Sequence, residues 1–201
     1  MNFYISDLHL GHKNILRFDP RPWYDVDEMN KALIEKWNSV VNRGDTVYHL
    51  GDFLWKGDAD TWKSTLNKLN GHKVFIKGNH DPKNIPTKNP NLSPLIPDMK
   101  DYMEIKDGRY KIILSHYPLL AYKHSYDPDT FMFYGHVHSN TKEAEMINQF
   151  TRELINNHQK EYDNRGQLIN VGCMKSYMDY TPRTAEYLIE KFYEGKTLLA
   201  Y

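Results

Sequence analysis

Apolar and polar positions in the first eighty residues follow two periods. Residues 2–6, 46–50 and 73–77 are short apolar runs rich in β-branched and aromatic side chains, and each predicts a strand. Between the first two runs, Met29, Leu33, Ile34, Trp37, Val40 and Val41 recur at helical spacing and predict a helix over 25–41, with Asp25 or Asp27 as its N-cap. Trp62, Leu66 and Leu69 predict a second helix over 58–69, stopped by Asn70-Gly71. The order β-α-β-α-β predicts parallel strands joined by right-handed crossovers.

The pattern then changes. Residues 82–97 hold five of the ten prolines and read as a loop. Runs at 102–106 and 110–115 flank Asp107-Gly108, a hairpin signal. A further strand is predicted at 130–134. Residues 142–162 are polar with scattered Ile147, Phe150, Leu154 and Ile155, which predicts a surface helix. Runs at 168–171, 185–192 and 197–201 are expected to complete the strands. A single domain over 1–201, with 139–166 as a helical insertion, is the simplest organisation for this length.

Five short motifs stand at the ends of these runs: Asp7-Leu8-His9, Gly51-Asp52, Gly78-Asn79-His80-Asp81, Ser115-His116 and Gly135-His136-Val137-His138. Five of the ten histidines lie in them. Open α/β sheets place their ligands at strand ends. Asp7 and His9, two apart on an extended segment, would point the same way and grip one ion. His136 and His138 have the same spacing, without having to share an ion. A glycine before Asp52, Asn79 and His136 lets the backbone turn tightly. Imidazoles, carboxylates and an amide oxygen suit manganese, iron, zinc or nickel. A lone cysteine excludes a thiolate-rich structural zinc. Seven candidate ligands are more than one ion uses. Two ions sharing a carboxylate would use them all. Such a pair, about 3.5–4 Å apart, clamps the attacking and leaving oxygens of a phosphoryl transfer.

Taken in order, the motifs D-x-H, G-D, G-N-H-[D/E], H and G-H-x-H over residues 7–138 resemble those of the calcineurin-like metallophosphoesterases, with a weaker extension at Asn170-Val171-Gly172. Segments 6–15 and 45–53 resemble a compact bacterial and phage branch of that superfamily. The resemblance implies an α/β (by some schemes α+β) four-layer α/β/β/α fold, two facing mixed sheets flanked by helices. It implies two divalent transition-metal ions, manganese foremost. Asp7, His9 and His138 would bind the first, Asn79, His116 and His136 the second, and Asp52 would bridge them. The implied reaction is hydrolysis of a small phosphomonoester or phosphodiester, a nucleotide among the candidates. Water activated by the ions would attack in line. Asp52, Asn79 and His80 would be the catalytic side chains, with Asn79 and His80 stabilising the phosphoryl charge and His80 protonating the leaving oxygen. The second block continues Asp52-Phe53-Leu54-Trp55-Lys56, without the aspartate and arginine of the family's protein phosphatases. That argues against a protein substrate and leaves the acidic partner of His80 open, since the adjacent Asp81 would face away. The alternatives are a nuclease of the same superfamily and a non-catalytic metal-binding scaffold.

Composition narrows the partners. A formal net charge of zero and a pI near 7.2 argue against a long nucleic acid. No run has the length of a membrane span, no secretory leader is apparent, and one cysteine suits a reducing compartment, so a cytoplasmic protein without a membrane partner is expected. His12 reads as a support for a metal ligand, a phosphate contact or a turn residue. His49 reads as a hydrogen-bonded core histidine, and His72, His124 and His158 as surface residues. Lys13, Arg17 and Arg21 read as solvated charge. Tyr117, Tyr122, Tyr126 and Tyr134 read as core edge rather than a stacking platform, and Cys173 as a small core residue.

Overall fold

A computed structural model of the protein describes residues 1–81, 99–139 and 141–198. Strands β1 (Asn2–Ile5), β2 (Thr46–His49) and β3 (His72–Phe75) form a sheet in that order, parallel throughout. Strands β4 (Tyr102–Asp107), β5 (Tyr110–Ser115), β6 (Thr130–Tyr134) and β7 (Leu168–Asn170) form the second sheet. Its first pair is the expected antiparallel hairpin, with Asp107 opposite Tyr110, and the remaining pairs are parallel. Among the described residues, only the second sheet is therefore mixed.

Period-two alternation builds the layers. In the second sheet Ile112, Leu114, Phe131, Phe133 and Ile169 point inward and join Phe3, Ile5, Val47 and Phe75 of the first in one core. Tyr4 bridges the two sheets, with its ring edge-on to Phe133 at 5.0 Å and its hydroxyl donating to Asp107. The alternate residues Ile113, Met132, Tyr134 and Leu168 point outward and pack with Ala144 and Ile147 of helix α4 (Lys142–Asn157). On the other side lie α2 (Val26–Val40), burying Met29, Leu33 and Trp37, and α3 (Ala59–Asn67), whose Trp62 meets the Phe75 ring at 6.0 Å. Helix, sheet, sheet, helix is the four-layer arrangement. Asp25 caps α2 by accepting from the Asp27 and Glu28 amides.

Residues 185–192 are not a strand. They form helix α5 (Ala185–Tyr193), capped by Thr184. Ala185, Leu188, Ile189 and Phe192 are its buried residues, spaced i, i+3, i+4, i+7, so the helical period overrides the β-prone composition. A 3₁₀ turn at Lys196–Leu198 replaces the start of the expected last strand. Residues 199–201, like the proline-rich loop, lie outside the described residues. Helix α4 ends before 162, and an unforeseen single turn, α1 (Ile15–Phe18), follows the first motif. No helix among the described residues is long and apolar enough to cross a membrane.

Candidate metal centre

The strands deliver the five motifs to one place, but not by alternation along extended chain. Asp7 (φ 58°), His9 (φ 50°), Asp52 (φ 58°) and His136 (φ 65°) all sit in the left-handed region. For residues other than glycine this conformation costs on the order of 1–3 kcal/mol each, and such strain concentrates at functional sites. Asp7 and His9 therefore converge through two left-handed residues, which corrects the extended geometry expected for that motif. Of the three glycines expected to turn the chain, Gly51 alone has a positive φ, at 95°. Gly78 and Gly135 serve close approach instead. A Cβ on Gly78 would collide with the Asp52 carboxylate, and one on Gly135 would lie 2.6 Å from Asp7 Oδ2.

All seven candidate ligands meet. Asp52 Oδ2 stands 3.6 Å from His9 Nε2 and 3.6 Å from His116 Nε2. His138 Nε2 lies 4.0 Å from Asp7 Oδ1. Asn79 Oδ1 lies 2.9 Å from both His116 Nε2 and His136 Nδ1. Ligand atoms of Asp7, His9 and His138 fall within 4.8 Å of one another, as do those of Asp7, Asp52 and His116. The two clusters share Asp7, and Asp52 faces a histidine of each.

Electrostatics fits this donor set to divalent cations. Burial, then the nearby Arg21 charge, pushes the His9 imidazole down to about 2. Its Nε2 is buried without a hydrogen-bond partner. Burial, then the neighbouring Asp7 charge, pushes the Asp52 carboxyl up to about 7, against the opposing pull of His116 and of the His80 amide. Two buried carboxylates beside a neutral, unpartnered imidazole are poorly compensated by protein alone, and a cation among them would satisfy all three.

A supporting layer holds the ligands. The Asp81 carboxylate accepts from the amides of Asp52 (2.8 Å), Phe53 (3.0 Å) and Gly78 (2.8 Å), tying the second motif to the third. It thus faces away from the His80 ring, as expected, and no carboxylate among the described residues bonds that ring. Ser6 Oγ donates to Asp7 Oδ2 at 2.5 Å. Asn170 donates to the Val137 carbonyl at 2.8 Å, which connects the weaker last block to the fifth. Cys173 is a core residue as expected, and its Sγ also donates to the Asp7 carbonyl at 3.1 Å.

Arg21 is not solvated. Its buried guanidinium donates to the carbonyls of Asp7 and Leu8, both at 2.8 Å, and holds the strained turn. Asp19, which the motif reading passes over, is buried with Oδ2 3.4 Å from Arg21 Nε and 3.5 Å from His138 Nδ1. Burial draws the His138 pKa down, but the contact with Asp19 and the charge of Asp7 outweigh it, and the net shift is upward. Neither position carries a sequence signal, since neither stands in a strand-end motif.

His49 is buried as expected but not hydrogen-bonded, since Phe53 at 5.1 Å and Phe75 at 5.6 Å offer its ring only apolar contact. His72 and His158 are exposed, and His124 is half-buried against the Tyr126 hydroxyl. Tyr122 and Tyr134 are buried under α4, while Tyr117 is exposed with its ring 4.7 Å from that of His136. His12 is buried and stacks on Trp55, with centroids 3.8 Å apart and planes 6° from parallel. A cavity of about 450 Å³ opens beside these rings, lined by His9, His80 and His138 together with Ile15, Phe18 and Trp55.

These features define a metallophosphoesterase-type centre, and comparison with known proteins agrees. The family model for calcineurin-like phosphoesterases matches residues 3–188, and the chain belongs to that family. It is 37% identical over 139 residues to the uncharacterized protein MJ1445 of Methanocaldococcus jannaschii, a match covering 69% of each chain. It is 35% identical over 85 residues, 39% of each chain, to the gene 66 protein of Mycobacterium phage L5. The crystal structure of AQ665 from Aquifex aeolicus, a protein of unknown function, superposes with a TM-score of 0.63 at 26% identity, covering 96% of this chain and 98% of that one.

Proposed function

We propose that the chain is a phosphoesterase that holds two divalent cations, manganese foremost, and hydrolyses a small phosphate ester. The observation that carries this reading is the position of Asp52 Oδ2, 3.6 Å from His9 Nε2 on one side and 3.6 Å from His116 Nε2 on the other. Asp7, His9 and His138 would hold one ion, Asn79, His116 and His136 the other, and Asp52 both. Bound there, the ions would supply an activated water and neutralise phosphoryl charge.

The chain's own groups do the rest. The Asn79 amide and the His80 ring, both at the exposed edge of the centre, donate to phosphoryl oxygens. The His80 backbone amide donates to Asp52 Oδ1 at 2.8 Å, which ties this segment of chain to the ligand cluster. His80 then passes its proton to the departing oxygen. Burial, then His116, lowers the His80 pKa in the free protein. An incoming phosphate anion opposes that shift and favours the charged acid.

The test is a screen of nitrophenyl phosphate and bis-nitrophenyl phosphate with manganese and with chelator. Hydrolysis that needs manganese and disappears in Asp52→Asn supports the assignment. Fully loaded protein inert towards both esters contradicts it.

A further inference from the structure

We infer that the cavity beside His80 receives the leaving group of the substrate and is shaped for a flat, uncharged aromatic ring, the base of a nucleoside monophosphate. This inference rests on the phosphoesterase reading above and specifies the substrate class of that site.

Three features point to it. First, the cavity is continuous with the centre, since His9, His80 and His138 line it. A group leaving on the His80 side enters this space. Its volume of about 450 Å³ falls within the roughly 300–1,000 Å³ of small-ligand sites. Second, its lining is rich in aromatic rings. The His12 and Trp55 rings stack face to face at 6°, with centroids 3.8 Å apart, and the Phe18 ring stands 6.5 Å from His12 at 64° with its faces free of that stack. Phe18 is 73% exposed in this lining, an apolar ring left for a partner surface. Third, among the described residues the lining holds no lysine, arginine, aspartate or glutamate. The lining itself therefore suits an uncharged group, with Lys56 Nζ 5.4 Å from the Trp55 ring centroid as the cation beside it. Asn14 also lines the cavity, and its side chain makes no capping bond to α1.

Adenosine 5′-monophosphate and ribose 5-phosphate leave through the same primary alkoxide and differ only in the base. In manganese-loaded protein the expected ratio of their kcat/KM values is about 10- to 100-fold in favour of the nucleotide, the range of a base–aromatic stack. Phe18→Ala is expected to bring that ratio near one, and Phe18→Tyr to retain most of it. Phe18 is exposed, so neither change endangers the fold. The second readout is binding of adenosine, which has no phosphate, to metal-free protein by calorimetry. Wild type is expected to bind adenosine at least tenfold more tightly than ribose, and Phe18→Ala to lose the difference. A ratio near one in wild type, a ratio unmoved by Phe18→Ala, or adenosine bound no better than ribose overturns the inference. Adenosine bound as expected by a protein that hydrolyses no ester would sink the catalytic reading and leave the pocket standing.

Discussion

The Asp19 carboxylate lies 3.5 Å from His138 Nδ1, while the opposite nitrogen of the same ring faces Asp7 Oδ1 at 4.0 Å. A carboxylate behind an imidazole fixes the ring's tautomer and orientation and makes it a better ligand. Asp19 is itself held by Arg21, so this buried pair aims His138 at the centre. Asp19→Asn is expected to weaken manganese binding by about 10- to 100-fold in a calorimetric titration. Unchanged affinity would show that the contact plays no part in holding the ion.

Replacing Asp52 with Asn should have opposite effects on function and on metal-free stability. The folded protein raises this carboxyl from 3.8 to about 7, so its ionisation opposes folding, increasingly as pH rises through that interval. An amide removes the penalty. Metal-free Asp52→Asn is expected to melt above wild type at pH 8, while manganese raises the melting temperature of wild type far more than that of the variant. A variant that melts lower without metal, or gains as much from manganese, contradicts the assignment.

His80→Ala tests the acid. Removing a general acid typically costs about 10²–10⁴ in rate where the leaving group needs a proton. Turnover of alkyl phosphates is expected to fall by that amount, and turnover of nitrophenyl phosphate, whose anion leaves unaided, far less. Equal losses for the two would assign His80 to phosphate binding alone.

His49 predicts an acid-sensitive fold. Burial lowers its pKa from 6.5 to about 3. Between those limits the unfolded chain binds a proton that the folded chain refuses. The His49 contribution is thus fully present above pH 6.5 and is lost on acidification by up to about 1.4 kcal/mol per pH unit. Urea melts of wild type and His49→Phe from pH 7 to pH 4.5 are expected to diverge in slope, the variant being flatter. Parallel slopes would mean that His49 is protonated in the folded state.

Much of this architecture is legible in the sequence, because strand-end motifs and helical periodicity are local signals. The β-α-β-α-β start, the Asp107-Gly108 hairpin and the gathering of the seven motif side chains all follow from such patterns. The misread segment 185–192 carried a helical period, but its Leu, Ile, Tyr and Phe content resembles a strand. The supporting residues were less visible. Asp19 and Arg21 act across chain reversals with nothing in their immediate neighbours to mark them, and Asp81, though it stands in the third motif, gives no sign there of its three-amide grip. The left-handed conformations at Asp7, His9, Asp52 and His136 are equally silent, since no glycine occupies those positions. Trp55 escaped because its place after the second motif gives no sign of its stack with His12.

Anomalous scattering from crystals grown with manganese is the most direct test of the central claim. Two peaks about 3.5–4 Å apart are expected, with Asp52 between them, Asp7, His9 and His138 around one and Asn79, His116 and His136 around the other. A single peak at saturating manganese, or peaks that Asp52 does not touch, would contradict it.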